Sequence, residues 1–390
     1  MRSAGGRTPD AHGRLPALDG LRGLAILLVL VNNLYPEHPS TRFDGAVEAA
    51  TNLWWVGVDL FFALSGFLIT GILCDARGSR HYFRDFYARR ALRIAPLYYG
   101  VLLALVTGSA VFLSDPGEGG VAFLQKQGWY WGYLVNVRMA RDAPEPAPYG
   151  TGHFWSLSVE EQFYLVWPAV VLWLAPSRLA KSCVGLLALA LALRMWCLAS
   201  GWSAAAVYVL TPTHADSLLV GALLALAARA ACWWDRATRW AQPAFLLAAP
   251  LALALIAWGH TGDPTGHTAA YTVGFTCVAI ASGALLVLAL DAPPGTRTAR
   301  LFRHPAMRFF GQYSYGIYVF SGLVDVAMRG AVPFAAALPR VAGSQVPAAT
   351  LVLVTAAGAA TALAYVSYHL YEKHWLQLKR RVPGAGARTS

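Results

Sequence analysis

The sequence predicts an all-α integral membrane protein, with about ten transmembrane helices around a central polar cavity. Three observations lead there. Of 390 residues, 57% are hydrophobic and 13% are charged, against about 25% charged in a soluble domain. Apolar stretches of spanning length recur along the whole chain. Lys and Arg concentrate in alternate connecting segments, which is the bias expected of cytoplasmic loops.

The elements follow in order. Residues 1–15 are polar and basic and read as a cytoplasmic N-terminus. The first span covers about 18–35. A basic start and the apolar run from Leu24 to Val31 imitate a signal peptide, but no small-x-small cleavage site follows, so the segment is kept as a helix. Asp19 is expected to pair with Arg22 or to cap this helix. The second span, 52–74, carries Asp59 and the small pair Ser65-Gly66, which suits close helix packing. The third, 94–114, follows an arginine-rich connection. The stretch 121–137 is aromatic but holds Gln125, Lys126, Gln127 and Asn136, and is expected to be re-entrant or superficial. Pro and Gly punctuate the connection from Leu113 to Gly152, as in a lid or binding loop. Further spans are expected at 154–175, 180–199, 205–228, 242–259, 269–290, 309–328 and 346–371. Arg194 lies inside one of them and is expected to snorkel to the interface. No Gly/Ser linker divides the chain, so 16–376 reads as one membrane domain with a basic tail at 377–390.

Charge sets the orientation. Arg77, Arg80, Arg84, Arg89, Arg90 and Arg93 fall on the same side as Arg297, Arg300, Arg303 and Arg308. The opposite side holds Arg42, Lys126, Arg138, Arg141, Arg329 and Arg340. This places both termini in the cytoplasm of a multi-pass protein of the cell membrane. It also accounts for the net charge of +11 through anionic lipid, the bilayer being the partner and nucleic acid not. The five cysteines are scattered, without metal-ligand spacing, so no metal is expected and they read as small core residues.

The most informative stretch runs from His153 to Pro168. It brings a histidine, two serines and the adjacent Glu160 and Glu161 into an apolar run with no Lys or Arg from Asp142 to Pro176. Ionisable groups in a bilayer are costly and usually mark a functional site. Of the two carboxylates, Glu160 is taken to face the cavity and Glu161 to meet a partner.

Six motifs now form a pattern: Leu18-Asp-Gly-Leu-Arg22-Gly-Leu-Ala, Gly57-Val-Asp59-Leu-Phe-Phe-Ala-Leu-Ser65-Gly66, Arg89-Arg90-Ala-Leu-Arg93-Ile-Ala-Pro96, the stretch 153–168, Ser314-Tyr-Gly-Ile-Tyr318 and Tyr371-Glu372-Lys-His-Trp. In this order they closely resemble the acyltransferase 3 family, over roughly residues 16–380. The resemblance implies transfer of an acyl group from acyl-CoA, a co-substrate rather than a bound cofactor, to a hydroxyl of a glycan or secondary metabolite. Arg90 and Arg93 match the family's Arg-x-x-Arg spacing and suit the CoA phosphates. Arg22, Tyr315 and Ser321 complete the expected substrate contacts. Glu372 is expected to hold the last helix end.

Three departures stand out. The family's histidine, eleven residues after the first-helix arginine, is Asn33 here, and an amide is not a general base. The histidine expected after Tyr318 is replaced by Ser321. The usual Thr-Arg-x-Asp reads Thr213-His214-Ala-Asp216. Three readings follow. The base has moved, with His38, His153 or His214 as candidates; His214 and Asp216, two residues apart, would not face each other on a helix. Alternatively, Asp59 and Glu160 act as carboxylic acids in an intramembrane cyclase or isomerase of a lipophilic substrate. Third, the scaffold carries a lipid-linked glycan.

Overall fold

A computed structural model of the chain describes residues 16–36, 41–112, 117–142, 147–331, 339–341 and 343–378. The expected N-terminal segment, most of the tail, and His38 lie outside the described residues. No β-strand occurs among the described residues, only an isolated bridge between Val341 and Ser344.

Among the described residues, the helices are α1 (Pro16–Leu34), α2 (Arg42–Thr51), α3 (Val56–Asp75), α4 (Tyr82–Thr107), α5 (Gly117–Trp131), α6 (Val135–Asp142), α7 (Phe154–Trp173), α8 (Pro176–Ala199), α9 (Ala204–Val209), α10 (Asp216–Ala227), α11 (Ala231–Gly259), α12 (Pro264–Ala269), α13 (Phe275–Leu290), α14 (Arg297–Arg303), α15 (Pro305–Ala331), α16 (Val346–Ser367) and α17 (Lys373–Leu378). Among the described residues, seven helical stretches are long and apolar enough to cross a membrane: Pro16–Leu34, Arg42–Asp75, Tyr82–Ala110, Pro176–Ala199, Ala231–Gly259, Pro264–Leu290 and Val346–Leu378. Each of the ten expected segments contains helix, but α7, α15 and α10 are not among the seven. The reason is chemical. Helix α7 carries Glu160, Glu161 and Gln162, α15 carries Arg308, Asp325 and Arg329, and α10 has only 12 residues because Pro212 interrupts its run. The stretch 121–137 forms most of α5 and the start of α6, with Phe123, Tyr130 and Val135 fully buried.

Exposed Trp173, Trp240, Leu247, Leu351 and Leu370 leave a wide apolar surface for lipid. Inside, helices meet at glycines. A Cβ on Gly66 would stand 1.9 Å from the Leu218 carbonyl, and one on Gly221 would stand 2.1 Å from that of Ala63. This reciprocal pair presses α3 onto α10. Gly311 does the same for α15, where a Cβ would lie 1.7 Å from the Asp19 carbonyl on α1.

Polar clamps add direction to this packing. Arg194 is fully buried rather than snorkelling. Its two terminal nitrogens grip Asp216 at 2.6 and 2.8 Å, and it also donates to Thr276 and to the Thr213 carbonyl. The expected escape to the interface fails because a bidentate carboxylate is present inside, and a paired charge can stay buried. Elsewhere, Thr41 and Asp44 form a capping box at α2, and Asp44 also accepts from Ser344 at 2.6 Å. Three of the five cysteines are buried as expected; Cys232 is exposed.

Candidate functional site

Two cavities adjoin within the helix bundle. The larger, about 350 Å³, sits toward the arginine-rich face and is lined in part by Asp19, Tyr313, Tyr368 and Glu372. The smaller, about 90 Å³, lies deeper and is lined by Ser65, Ser156, Glu160, Glu161, Tyr164 and Tyr318, among others. Arg22, Arg90, Arg93 and Tyr315 line both. They form a shared wall between a wide chamber and a narrow one.

The helices explain this placement. Arg22 lies on α1 one turn beyond Asp19, whose carboxylate is 3.6 Å away, as the i,i+3 spacing allows. Arg90 and Arg93 lie one turn apart on α4, so they share a face. Arg90 stands over the Tyr164 ring at 5.5 Å from its centroid. No ion pair joins Arg90 or Arg93 to a carboxylate among the described residues. Tyr315 donates to the Ile94 carbonyl at 2.8 Å, fixing α15 to α4 beside these arginines.

Both carboxylates of α7 face the deeper cavity. Glu160 is held: Ser65 donates to Oε1 at 2.7 Å and Tyr164 to Oε2 at 3.1 Å. Glu161 has a buried Oε1 with no hydrogen-bond partner. Sequence reasoning favoured Glu160; it had no signal by which to see that Ser65, 95 positions away, occupies that group. Ser156 and Tyr318 bond each other at 2.5 Å and both point to the His153 carbonyl, at 3.1 and 2.8 Å.

The other expected residues take separate places. Asp59 meets His214, with Oδ1 at 3.3 Å from Nε2 and accepting from Ser217 at 2.6 Å. His214 Nδ1 lies 2.6 Å from the Tyr208 carbonyl and is therefore the protonated nitrogen there. Phe62, Trp155, Tyr208 and Phe275 surround the imidazole at 5.0–5.6 Å. The pair sits behind Phe62, which lines the deeper cavity. Asp59 Oδ2 is buried without a partner. His214 and Asp216 do not interact; Asp216 belongs to Arg194. His153 bonds the Gly150 carbonyl through Nδ1 at 2.9 Å, and its Nε2 is buried without a partner. Ser321 turns back to the Tyr318 carbonyl on its own helix, and Asn33 accepts from Asn32 near the end of α1, outside both cavities. Glu372 lines the wider chamber and accepts from Ser367.

The described residues thus form a helical membrane protein whose interior brings arginines and buried carboxylates to one site. The chain belongs to the acyltransferase 3 family, whose acyltransferase domain model matches residues 15–369. Among similar proteins, the peptidoglycan O-acetyltransferase OatA of Listeria monocytogenes is 28% identical over 322 residues, covering 78% of this chain and 48% of that protein. YrhL of Bacillus subtilis, a provisional peptidoglycan O-acetyltransferase, is 34% identical over 228 residues, covering 55% of this chain and 33% of that protein. The chain thus spans half or less of the length of these relatives. No solved structure matches it.

Proposed function

We propose that this protein is a membrane O-acyltransferase that moves a short acyl group from acyl-CoA to a hydroxyl of a glycan. The observation that carries the reading is the shared wall of Arg22, Arg90, Arg93 and Tyr315 between the two cavities. Arg90 and Arg93 would hold the CoA phosphates in the wide chamber, where guanidinium gives charge-assisted, two-pronged contacts. The thioester would then reach past them toward Glu161. The relatives' names support O-acetylation of a glycan as the reaction class.

In this scheme the acceptor hydroxyl loses its proton to Glu161 as its oxygen attacks the thioester carbon. The C–O bond forms, the C–S bond breaks, and the departing thiolate takes the proton from Glu161. Arg22, which lines the same cavity as Glu161, would face the negative charge that develops on the carbonyl oxygen. Glu161 supplies the base that Asn33 cannot. Binding of acetyl-CoA to the detergent-solubilised protein, compared with Arg90→Ala/Arg93→Ala, tests the scheme. Saturable binding that falls about tenfold or more in the double variant is expected; no binding by folded wild-type protein would exclude the donor.

One observation favours a second reading. Asp59 has one oxygen tied to His214 and Ser217 and the other buried and unpartnered. Such a carboxyl, beside aromatic rings, could protonate a lipophilic substrate in an intramembrane cyclase or isomerase. Loss of turnover in Asp59→Asn with no dependence on acyl-CoA would favour it.

A further inference from the structure

Helix α6, on the face opposite the arginine-rich one, carries Arg138. Its side chain is fully buried, and its guanidinium makes no well-formed hydrogen bond, with only the Tyr130 hydroxyl close to it. No carboxylate lies within 4 Å among the described residues. Asp142, one turn further on the same helix, is the natural i,i+4 partner. It is engaged by Arg141 instead, at 2.7 and 3.3 Å. The Tyr130 hydroxyl donates to Thr151 at 2.8 Å, which donates in turn to the Pro148 carbonyl, so the Tyr130 oxygen offers Arg138 a neutral acceptor but no negative charge. Arginine cannot relieve this state by losing its proton. An uncompensated buried charge costs several kcal/mol. The contrast with Arg194 is direct: both are fully buried, but Arg194 has five hydrogen bonds and a carboxylate.

The segment bonded to Tyr130 is itself unusual. The segment Pro148–His153 is a short 3-10 stretch interrupted by Tyr149 at φ 53° and Gly150 at φ 64°. Both lie in the left-handed region, which a tyrosine seldom adopts. Gly150 is pressed against the Gly322 carbonyl, leaving no room for a side chain. The same segment holds His153, whose Nε2 is also buried without a partner.

We infer that Arg138 is an anion-recognition site, completed by a carboxylate or phosphate of the acceptor. The Pro148–His153 segment adjoins it through the Tyr130–Thr151 bond. The identity of the ligand as an acceptor rests on the acyl-transfer reading; the site itself does not. Planar oxyanions match the guanidinium fork. A sugar acid and a lipid-linked sugar phosphate would both supply one.

The test uses the detergent-solubilised full chain, titrated separately with N-acetylmuramic acid, N-acetylglucosamine and inorganic phosphate, while binding and thermal unfolding are followed. The first two sugars differ by a carboxylate-bearing ether. Wild-type protein is expected to bind N-acetylmuramic acid and not N-acetylglucosamine, and Arg138→Met to weaken that binding about 30-fold or more. Saturable, Arg138-dependent binding of phosphate alone would support the site with phosphate as the source. The unliganded Arg138→Met variant is expected to unfold about 2 °C or more above wild type, because it loses an unpaired buried charge. A structural arginine would show the reverse. Equal binding of the two sugars without a phosphate response, no binding of any probe, or a lowered Tm in Arg138→Met would overturn the inference. Acetyl-CoA binding measured on the same samples separates the two proposals: it tests the transfer reading and does not depend on Arg138.

Discussion

Single residues divide here into those whose bonding capacity is used up and those left with spare capacity. Glu160 is saturated by Ser65 and Tyr164, whereas Glu161 keeps a buried oxygen without a partner. Glu161→Gln should therefore lower kcat for acyl transfer by about 10²–10⁴-fold, the usual contribution of a general base, with thermal unfolding unchanged. Glu160→Gln should instead lower stability, since it disturbs two formed hydrogen bonds. Turnover measured beside a melting curve separates the two. Arg194→Met should destabilise the fold by about 3–5 kcal/mol, because Asp216 is left buried and unpaired. Adding Asp216→Leu should restore much of that loss in a denaturation experiment. Sequence alone names Asp59 and His214 but not their meeting, because 155 positions separate them. It misplaces Arg194, whose partner lies on another helix. Residue type was legible, in short, wherever chemistry depends on one side chain; pairing was not.

At the scale of elements, hydropathy finds helices best where they do least chemistry. The helices missing from the spanning set, α7, α10 and α15, hold the carboxylates, the broken first turn and much of the cavity wall. Polar side chains dilute their apolar signal, and only the motif stretches reveal them. The interruption at Thr211-Pro212-Thr213 matters in the same way. It starts α10 afresh at Asp216 and presents His214 and Ser217 to α3. Such breaks within a membrane domain occur where protein, not lipid, surrounds them. The small pair Ser65-Gly66 does two jobs at once: the serine holds Glu160, and the glycine admits the α10 backbone. Gly66→Val should separate α3 from α10 and lower stability by about 1–3 kcal/mol or more. It should also reduce acetyl-CoA binding indirectly, by displacing Ser65 and Glu160. A melting curve that matches wild type would show that the contact is softer than its geometry.

For the molecule as a whole, charge asymmetry gives the orientation to be tested. Cys232 is exposed at the start of α11, on the arginine-rich side. A membrane-impermeant maleimide should label it in inverted vesicles and not in intact cells, if that side is cytoplasmic. Labelling from outside would reverse the assignment of both faces. The unequal chambers carry one more consequence. Beyond the arginines there is only about 90 Å³ of room, enough for a few heavy atoms when one water needs roughly 10–15 Å³. On the proposed acyl-transfer reading, a protein so proportioned would act as a ruler as well as a lock. Acetyl and propionyl should pass the narrowing, while an octanoyl chain should bind at the arginines and stall there as an inhibitor. Only a handful of atoms would cross the barrier in each cycle, so the carrier would stay on its own side and the membrane would remain sealed while its far surface is chemically rewritten.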